Sequence, residues 1–358
     1  MNGNRQLFGP YPYGHSVTDM FTDSQHTLIN FEYFRPYFDR VSLPMDLATR
    51  CLGDHYSKYG DSVKEAGFVK FVPFSVLRTH ERFPAYDEIS GKLIDHSRIP
   101  GFILAGPLSV WGGKDIFSTT PCVFLSHRWL SPEHPDPDGA HLQTVIQRLE
   151  RVNAATDGAE REVYLWIDYC CLPQRRGGRP LTDEDQERLR AGLVHLPEIV
   201  KSCDLMILES PDYVKRVWCY TELFVWLCKI AEVGPLRNLR GSPLFDSILA
   251  RNADQTPFVG KSGPPLRDFI TANLVFRGYG GSAGDLLEIY EPIDEYCSST
   301  IDSAGYTMGA YEGEYLPHLI RFMCNSWYAL QQKGCAVRQD AELCLNVIVK
   351  ALTFISHF

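Results

Sequence analysis

Three short apolar runs, each followed by a segment with helical spacing, constrain the fold of this chain most. The runs are Cys122–Ser126, Val163–Asp168 and Cys203–Glu209. Turn-forming residues follow each run, and then apolar residues recur every three or four positions, as on one face of a helix. Three strand–loop–helix units in series predict a parallel sheet with helical crossovers. Nearly continuous apolar strands are the pattern expected when helices cover both faces of a sheet.

The helix predicted before the third strand contains a conflict. Its apolar residues run from Leu189 to Val200, but Pro197 lies inside this pattern. Proline lacks an amide donor and clashes with the preceding turn of a helix. We therefore expect the helix to kink or end at this point.

We divide the chain into three regions around this pattern. Residues 1–118 form an N-terminal extension of unclear fold, residues 119–235 an α/β core, and residues 236–358 a largely helical C-terminal region. In the extension, helices are expected near Thr18–Phe38 and Leu47–Ala66.

Two helices are predicted near the end of the chain, over Leu316–Leu330 and Val337–Phe358, from their helical spacing of apolar residues. They can pack as a hairpin against the sheet or against another copy of the protein.

Charge and hydropathy argue against two classes of partner. A net charge of −9 and an isoelectric point near 5.7 disfavour nucleic-acid binding through the overall field of the protein. We find no run of about 18 apolar residues, so no membrane-spanning helix is expected. The first residues, Met1–Gln6, lack the apolar segment of a secretory signal. We therefore expect a cytoplasmic protein that binds neither membranes nor nucleic acid directly.

Cysteines and histidines carry no metal-binding pattern. The 11 cysteines include no CxxC pair, so free thiols are expected. Adjacent Cys170 and Cys171 are interpreted as small buried hydrophobic residues rather than nucleophiles. Prolines interrupt the even spacing of His127, His134 and His141, so we expect no zinc site.

Polar and aromatic residues follow the three predicted strands. The carboxyl ends of parallel strands lie at one edge of a sheet, where ligands bind in open α/β proteins. The residues at these ends are Ser126-His-Arg-Trp129, Asp168 and Ser210-Pro-Asp-Tyr213. A helix that began at Asp212 would carry Glu222 about 15 Å from this edge. We predict a later start, near Arg216–Trp218, which leaves the Glu222 carboxylate at the crevice.

Each of these residues also has a structural interpretation. Glu222 suits the first turn of any helix, and Trp218 can belong to the core at the helix entry. His127 can be a buried histidine with satisfied hydrogen bonds. Arg128 can form a structural ion pair with Asp168. The residue types alone leave both interpretations open.

Two strings in the core carry a family resemblance. Val123-Phe-Leu-Ser-His-Arg128 and Ser210-x-x-Tyr213-x-x-x-x-Trp218-Cys-x-x-Glu222-Leu223 resemble motifs of the Toll/interleukin-1 receptor (TIR) domain. Arg216-Val217 replaces the serine that usually precedes Trp-Cys. The string Trp166–Gln174 resembles a segment of fungal heterokaryon-incompatibility (HET) domains. This resemblance covers residues 119–235 and implies a flavodoxin-like parallel sheet with helices on both faces.

The TIR resemblance also implies an activity. Enzymatic members of that family cleave the bond between nicotinamide and ribose in NAD, and their catalytic glutamate matches Glu222. Nicotinamide is already a cationic leaving group, so one carboxylate suffices to stabilise an oxocarbenium-like transition state. NAD or a related nucleotide is then a substrate rather than a bound cofactor. Immune, antiviral or cell-death signalling and a homo-oligomer are expected on the same grounds.

Residues around Glu222 are assigned to substrate binding. Trp129, Tyr213 or Trp218 would stack on nicotinamide or adenine, and Arg128 would bind the diphosphate. The full set of predicted binding residues is Ser126, His127, Arg128, Trp129, Asp168, Ser210, Tyr213 and Trp218.

Two other functions stay open at this point. The chain can be a non-enzymatic TIR- or HET-like adaptor or a nucleotide-ligand-binding signalling module. It can also be a nucleoside-processing enzyme with a deoxyribosyltransferase-like fold, which would place a carboxylate beside a ribose as well.

Overall fold

A computed structural model describes the parts of the chain that form the sheet and the helices around it. The described residues are 21–22, 28–29, 34–56, 69–102, 104, 120–155, 162–175, 180–208, 212–237, 280, 289, 293, 312–334 and 338–352. They form a mixed α/β structure around a five-stranded mixed sheet.

Seven strands within the described ranges form two sheets. In chain order they are β1 (Phe21–Thr22), β2 (Leu28–Ile29), β3 (Lys70–Pro73), β4 (Ile94–Asp95), β5 (Cys122–His127), β6 (Tyr164–Trp166) and β7 (Asp204–Leu208). Strands β1 and β2 pair with each other, and the larger sheet has the order β4-β3-β6-β5-β7. Strand β5 is parallel to both of its neighbours, whereas β3 is antiparallel to β6 and to β4. The parallel strands confirm the central sequence prediction.

Eleven α-helices lie within the described residues. They are α1 (Arg35–Arg40), α2 (Met45–Tyr56), α3 (Phe74–Leu77), α4 (Tyr86–Ile89), α5 (Ala140–Ala155), α6 (Asp168–Cys171), α7 (Asp183–Val194), α8 (Leu196–Ser202), α9 (Val217–Arg237), α10 (Glu312–Gln331) and α11 (Arg338–Leu352). Helix α5 joins β5 to β6, α6 to α8 lie between β6 and β7, and α9 follows β7. The helix expected over Thr18–Phe38 is wrong, because β1 and β2 occupy part of that range and α1 begins at Arg35.

Pro197 separates two helices, as its position in the apolar pattern predicts. Helix α7 ends at Val194, His195 forms a turn, and α8 then begins with Pro197 in its first turn. Proline is tolerated there because the first amides of a helix have no intrahelical acceptor. The chain therefore changes direction before it enters β7.

Strands β5 and β6 form the centre of the core. Phe124 on β5 stacks on Trp166 of β6 with a centroid distance of 4.9 Å and an interplanar angle of 11°. All six residues of β5 are buried. Strands β3 and β4, which lie in the predicted N-terminal extension, extend this sheet beyond β6.

The two C-terminal helices pack within the chain. Helices α10 and α11 contact each other, and α11 also contacts α2, α8 and α9. The sequence allowed this hairpin to pack against the sheet domain or against another copy of the protein. In the structure it packs against the sheet domain.

Charged side chains connect α11 to α8 through buried ion pairs and hydrogen bonds. Lys350 Nζ lies 2.8 Å from Glu198 Oε1, and His195 Nδ1 lies 3.8 Å from the same oxygen. Lys201 of α8 donates to the main-chain oxygen of Ala351 over 2.7 Å. Burial acts to raise the pKa of Glu198, but His195 and Lys350 hold it below its ordinary value.

Candidate active site at the end of the parallel strands

Residues from all three parallel strand ends converge, because β5 lies between β6 and β7. Ser126 and His127 end β5, and Arg128 and Trp129 follow it. Asp168 begins the short helix α6 just after β6. In open α/β sheets, the crevice for ligands forms beside a strand whose two neighbours are reached in opposite directions. Strand β5 occupies that position.

Glu222 reaches this edge from the start of α9. The helix begins at Val217, which confirms the predicted start near Arg216–Trp218. Glu222 is therefore in the second turn, about 7.5 Å along the axis from the first residue. A short 3₁₀ turn, Tyr213–Lys215, precedes the helix and takes up the rest of the connection from β7.

A hydrogen-bonded triad forms the centre of the site. The Ser126 hydroxyl donates to Glu222 Oε2. The same hydroxyl oxygen lies 2.5 Å from the Tyr213 hydroxyl, and these two groups share a second hydrogen bond. Ser126 and Tyr213 are buried, at 0% and 1% exposure. Thus β5, the turn after β7 and α9 are connected through three oxygen atoms.

The environment of Glu222 favours its protonated form. Part of the residue is exposed, but loss of hydration around the carboxyl group raises the pKa of Glu222 well above its ordinary value. The Ser126 hydrogen bond opposes this rise, and the negative charge of Asp168 adds to it. Within the described part of the chain, Glu222 has no cationic partner. A positively charged ligand would supply the cationic partner that the Glu222 carboxylate lacks.

Asp168 is the second carboxylate of the crevice. Its Oδ2 accepts a hydrogen bond from Trp129 Nε1 over 3.1 Å, and its Oδ1 accepts one from the Tyr169 amide over 2.6 Å. The Trp129 ring packs edge-on against Tyr169 at a centroid distance of 5.4 Å. The Asp168 side chain is 32% exposed. It is therefore fixed in orientation and still accessible to a ligand.

His127 is buried beside Asp168 and is not accessible at the strand ends. Its side chain is 2% exposed, and its Nε2 lies 3.9 Å from Asp168 Oδ1. That nitrogen is buried without a hydrogen-bond partner. The ring packs edge-on against Phe83 and His141, at centroid distances of 5.5 and 5.9 Å. Burial, and then the proximity of His127, lower the pKa of His141.

Arg128 forms an ion pair with a carboxylate other than the one expected from the sequence. Its Nη1 lies 3.4 Å from Asp212 Oδ2, whereas the structural alternative paired it with Asp168. Lys215 Nζ lies 3.2 Å from the other Asp212 oxygen. Asp212 thus bridges two cations at the rim. Both Arg128 and Asp212 follow adjacent strands, β5 and β7, so knowledge of the strand order would have revealed this pair.

The remaining predicted residues differ in accessibility. Trp218 is half-buried against the core, as is Trp129, so each ring keeps an exposed surface. Tyr213 has no such surface, and its hydroxyl group is engaged by Ser126. Stacking on a ligand is therefore open to the two tryptophans. Ser210 lies outside the described residues.

Cys219 makes a contact that its sequence pattern did not predict. Its thiol donates to the His127 main-chain oxygen over 3.5 Å and so connects the first turn of α9 to the end of β5. Burial, and then the charge of Glu222, raise the pKa of Cys219 well above its ordinary value. The Cys219 thiol therefore stays protonated and serves as a hydrogen-bond donor from α9 to β5, not as a nucleophile.

The adjacent cysteines after β6 are also inert. Cys170 and Cys171 are buried, and burial raises the pKa of Cys171 to about 12 and that of Cys170 well above its ordinary value. Among the residues that the structure describes, no three His, Cys, Asp or Glu side chains are grouped so that they could hold a metal ion. Nor does any helix in those ranges have the length and hydropathy to span a bilayer.

Comparison of the chain with protein-family models, with curated proteins and with solved structures finds no match. The chemistry of the site therefore has to be argued from its own residues. They offer one poorly hydrated carboxylate with a hydroxyl donor, a second fixed carboxylate, and two accessible indole rings.

Proposed function

We propose that the chain is a TIR-like enzyme that cleaves NAD and releases nicotinamide. The observation that carries the proposal is the position of Glu222, whose carboxyl group meets Ser126 where the parallel strands end. This is the place and the residue that the TIR-like strings single out. A flavodoxin-like sheet belongs to the same proposal. The second-first-third order of the parallel strands β6-β5-β7 supports it.

The residues present suit cleavage of a ribosyl–pyridinium bond. As the bond breaks, its electron pair moves to the ring nitrogen and neutralises nicotinamide, while positive charge develops on the ribose. Ionised Glu222 stabilises that charge, and this electrostatic term is commonly the largest one in catalysis. Water then bonds to the ribose carbon and releases a proton in the hydrolase reaction. In the cyclase reaction, a nucleophile within the same molecule takes the place of water.

The raised pKa of Glu222 fits a cationic substrate. Without a ligand, desolvation and Asp168 favour the protonated acid. A pyridinium ring in the crevice favours the carboxylate, because an opposite charge within a few ångström stabilises the ionised form. Substrate binding would thus generate the catalytic charge where it is needed. Trp129 or Trp218 would stack on the ring, and Arg128 would bind the diphosphate at the rim.

The direct test is incubation with NAD, followed by identification of the products by mass. We expect nicotinamide with ADP-ribose or with its cyclic form. Glu222→Gln keeps the size of the side chain and should lower turnover at least about 100-fold. Glu150→Gln, an exposed position on α5, is the matched control and should retain full activity. The assay should cover a range of protein concentrations, because we expect a homo-oligomer to complete the site.

A non-enzymatic nucleotide-binding module is the second candidate. The observation that favours it is the loss of hydration around Glu222, which raises the pKa of its carboxyl group and so disfavours the negative charge that would stabilise a developing cation. This candidate predicts that NAD binds without being consumed. It also predicts that Glu222→Gln, which resembles the protonated acid, binds the nucleotide as tightly as the wild type. Nucleosides tested in the same way would separate a nucleoside-processing enzyme from both.

A further inference from the structure

The loop between α10 and α11 is hydrogen-bonded to the start of the helix that carries Glu222. The Gly334 amide donates to the Lys215 main-chain oxygen over 2.6 Å, and the Val217 amide donates to the Gly334 oxygen over 3.1 Å. Together these bonds form a parallel bridge between Gly334 and Arg216. Val217 is the first residue of α9, and its amide has no acceptor within the helix. Gly334 supplies that acceptor.

Two side chains of the same hairpin reach the first turns of α9. Lys333 Nζ lies 4.8 Å from the centroid of the Tyr220 ring. The Cys344 thiol, on α11, lies 3.9 Å from the Val217 oxygen. The bridge is therefore part of a continuous contact between the hairpin and the segment 215–220.

The opposite side of this segment is attached to the sheet. Cys219 donates to the His127 oxygen, and Ser126 donates to Glu222. The start of α9 is thus held between the end of β5 and the C-terminal hairpin. Displacement of the hairpin would release one of the supports that set the distance between Glu222 and Ser126.

We propose that Gly334 is a positioning residue for Glu222, and that the C-terminal hairpin thereby belongs to the frame of the site. The role in turnover rests on the proposed function, but the positioning itself does not. If the bridge opens, the first turn of α9 loses its external acceptor and frays. Water then reaches the Glu222 carboxyl group, and its hydrogen bond to Ser126 lengthens.

Gly334 allows a matched pair of variants. Its backbone is not in the left-handed region, and a Cβ would lie 3.6 Å from the Lys215 oxygen, an ordinary contact. Gly334→Ala therefore keeps both hydrogen bonds. Gly334→Pro removes the amide that donates to Lys215. The two variants therefore differ in whether residue 334 can donate a hydrogen bond to the Lys215 oxygen.

Two measurements on the purified full chain read out the effect. Amide hydrogen exchange at Val217 should accelerate about tenfold in Gly334→Pro and stay unchanged in Gly334→Ala. The carboxyl band of Glu222, isolated as an infrared difference against Glu222→Gln, should titrate at lower pH in the proline variant, because water enters. A purely structural role for Gly334 would lower stability without moving this titration.

If Gly334→Pro does not fold, amide hydrogen exchange of the wild-type protein tests the bridge instead. The Gly334 and Val217 amides should then open with the same free energy, because one bridge protects both. Unequal protection, or a Glu222 titration that is identical in folded Gly334→Pro and Gly334→Ala, overturns the inference. Failure of the wild type to consume NAD would refute the proposed function alone, since neither measurement requires turnover.

Discussion

Glu222→Gln should stabilise the protein at neutral pH and, under the proposed function, remove the NAD-cleaving activity. The substitution keeps the shape of the side chain and an oxygen that accepts from Ser126. It removes a negative charge from a site that is poorly hydrated and faces Asp168. A residue retained for function at the expense of stability should show this combination.

The size of the effect follows from the contacts of Glu222. Within the described residues, Ser126 is the donor that reaches its carboxylate. A buried polar group that lacks its partners costs about 1–3 kcal/mol, and a charged one costs more. Because part of Glu222 is exposed, solvent screening reduces this penalty. We expect Glu222→Gln to raise the free energy of unfolding by about 1–2 kcal/mol.

The effect should depend on pH with a defined sign. The folded state raises the pKa of Glu222 above its value in the unfolded chain. Its protonation therefore stabilises the fold fully below the unfolded pKa, and this contribution is lost as the pH rises through the folded pKa. The advantage of Glu222→Gln over the wild type should be small in acid, grow with pH and then level off.

Urea unfolding of both proteins at several pH values measures this difference, with Glu150→Gln as the surface control. A difference that is independent of pH would refute the reasoning. So would a Glu222→Gln protein that is less stable than the wild type above neutral pH. Either result would mean that the carboxylate is better solvated than its surroundings in the structure indicate.

Three further substitutions test neighbouring parts of the structure. Ser126→Ala removes the hydrogen bond that lowers the pKa of Glu222, so the acid limb of a kcat/KM–pH profile should move to higher pH. Lys350→Met leaves Glu198 buried without its closest cation and should cost about 3 kcal/mol at neutral pH in denaturant unfolding. This loss should shrink in acid, because Glu198, whose pKa is lowered on folding, stabilises the protein only while ionised. Gly139→Ala should cost about 2 kcal/mol in thermal unfolding, because φ is +79° and a Cβ would lie 2.2 Å from a backbone oxygen.

Local patterns predicted the elements that carry the site. The apolar runs located β5, β6 and β7, and the loop character of residues 210–215 placed the start of α9 correctly. These signals are local, because a buried strand and a helix entry each have a characteristic residue pattern. Strand β3 lies in the short apolar stretch Phe68–Phe74, whereas β4 carries no comparable signal. They join the sheet through pairing with partners far along the chain, such as Val72 with Leu165.

Contacts between distant residues were the part that could not be predicted. Glu222 meets Ser126, 96 residues away, and Arg128 meets Asp212, 84 residues away. Such pairs follow from the order of strands in the sheet, and helical crossovers permit more than one order. The bridge at Gly334 is harder still, because it uses main-chain atoms and leaves no trace in the residue type.

Under the proposed function, the distribution of charge at the end of the parallel strands implies an orientation for NAD. Glu222 and Asp168 place negative charge at the end of the parallel strands, and Asp212 already neutralises part of the charge of Arg128 and Lys215 at the rim. A cationic pyridinium ring is stabilised beside the two carboxylates, whereas a diphosphate is repelled there. The diphosphate would have to displace Asp212 and take over its two cations. Asp212→Asn should therefore tighten NAD binding while Asp168→Asn weakens it, and equal effects of the two substitutions would contradict this orientation.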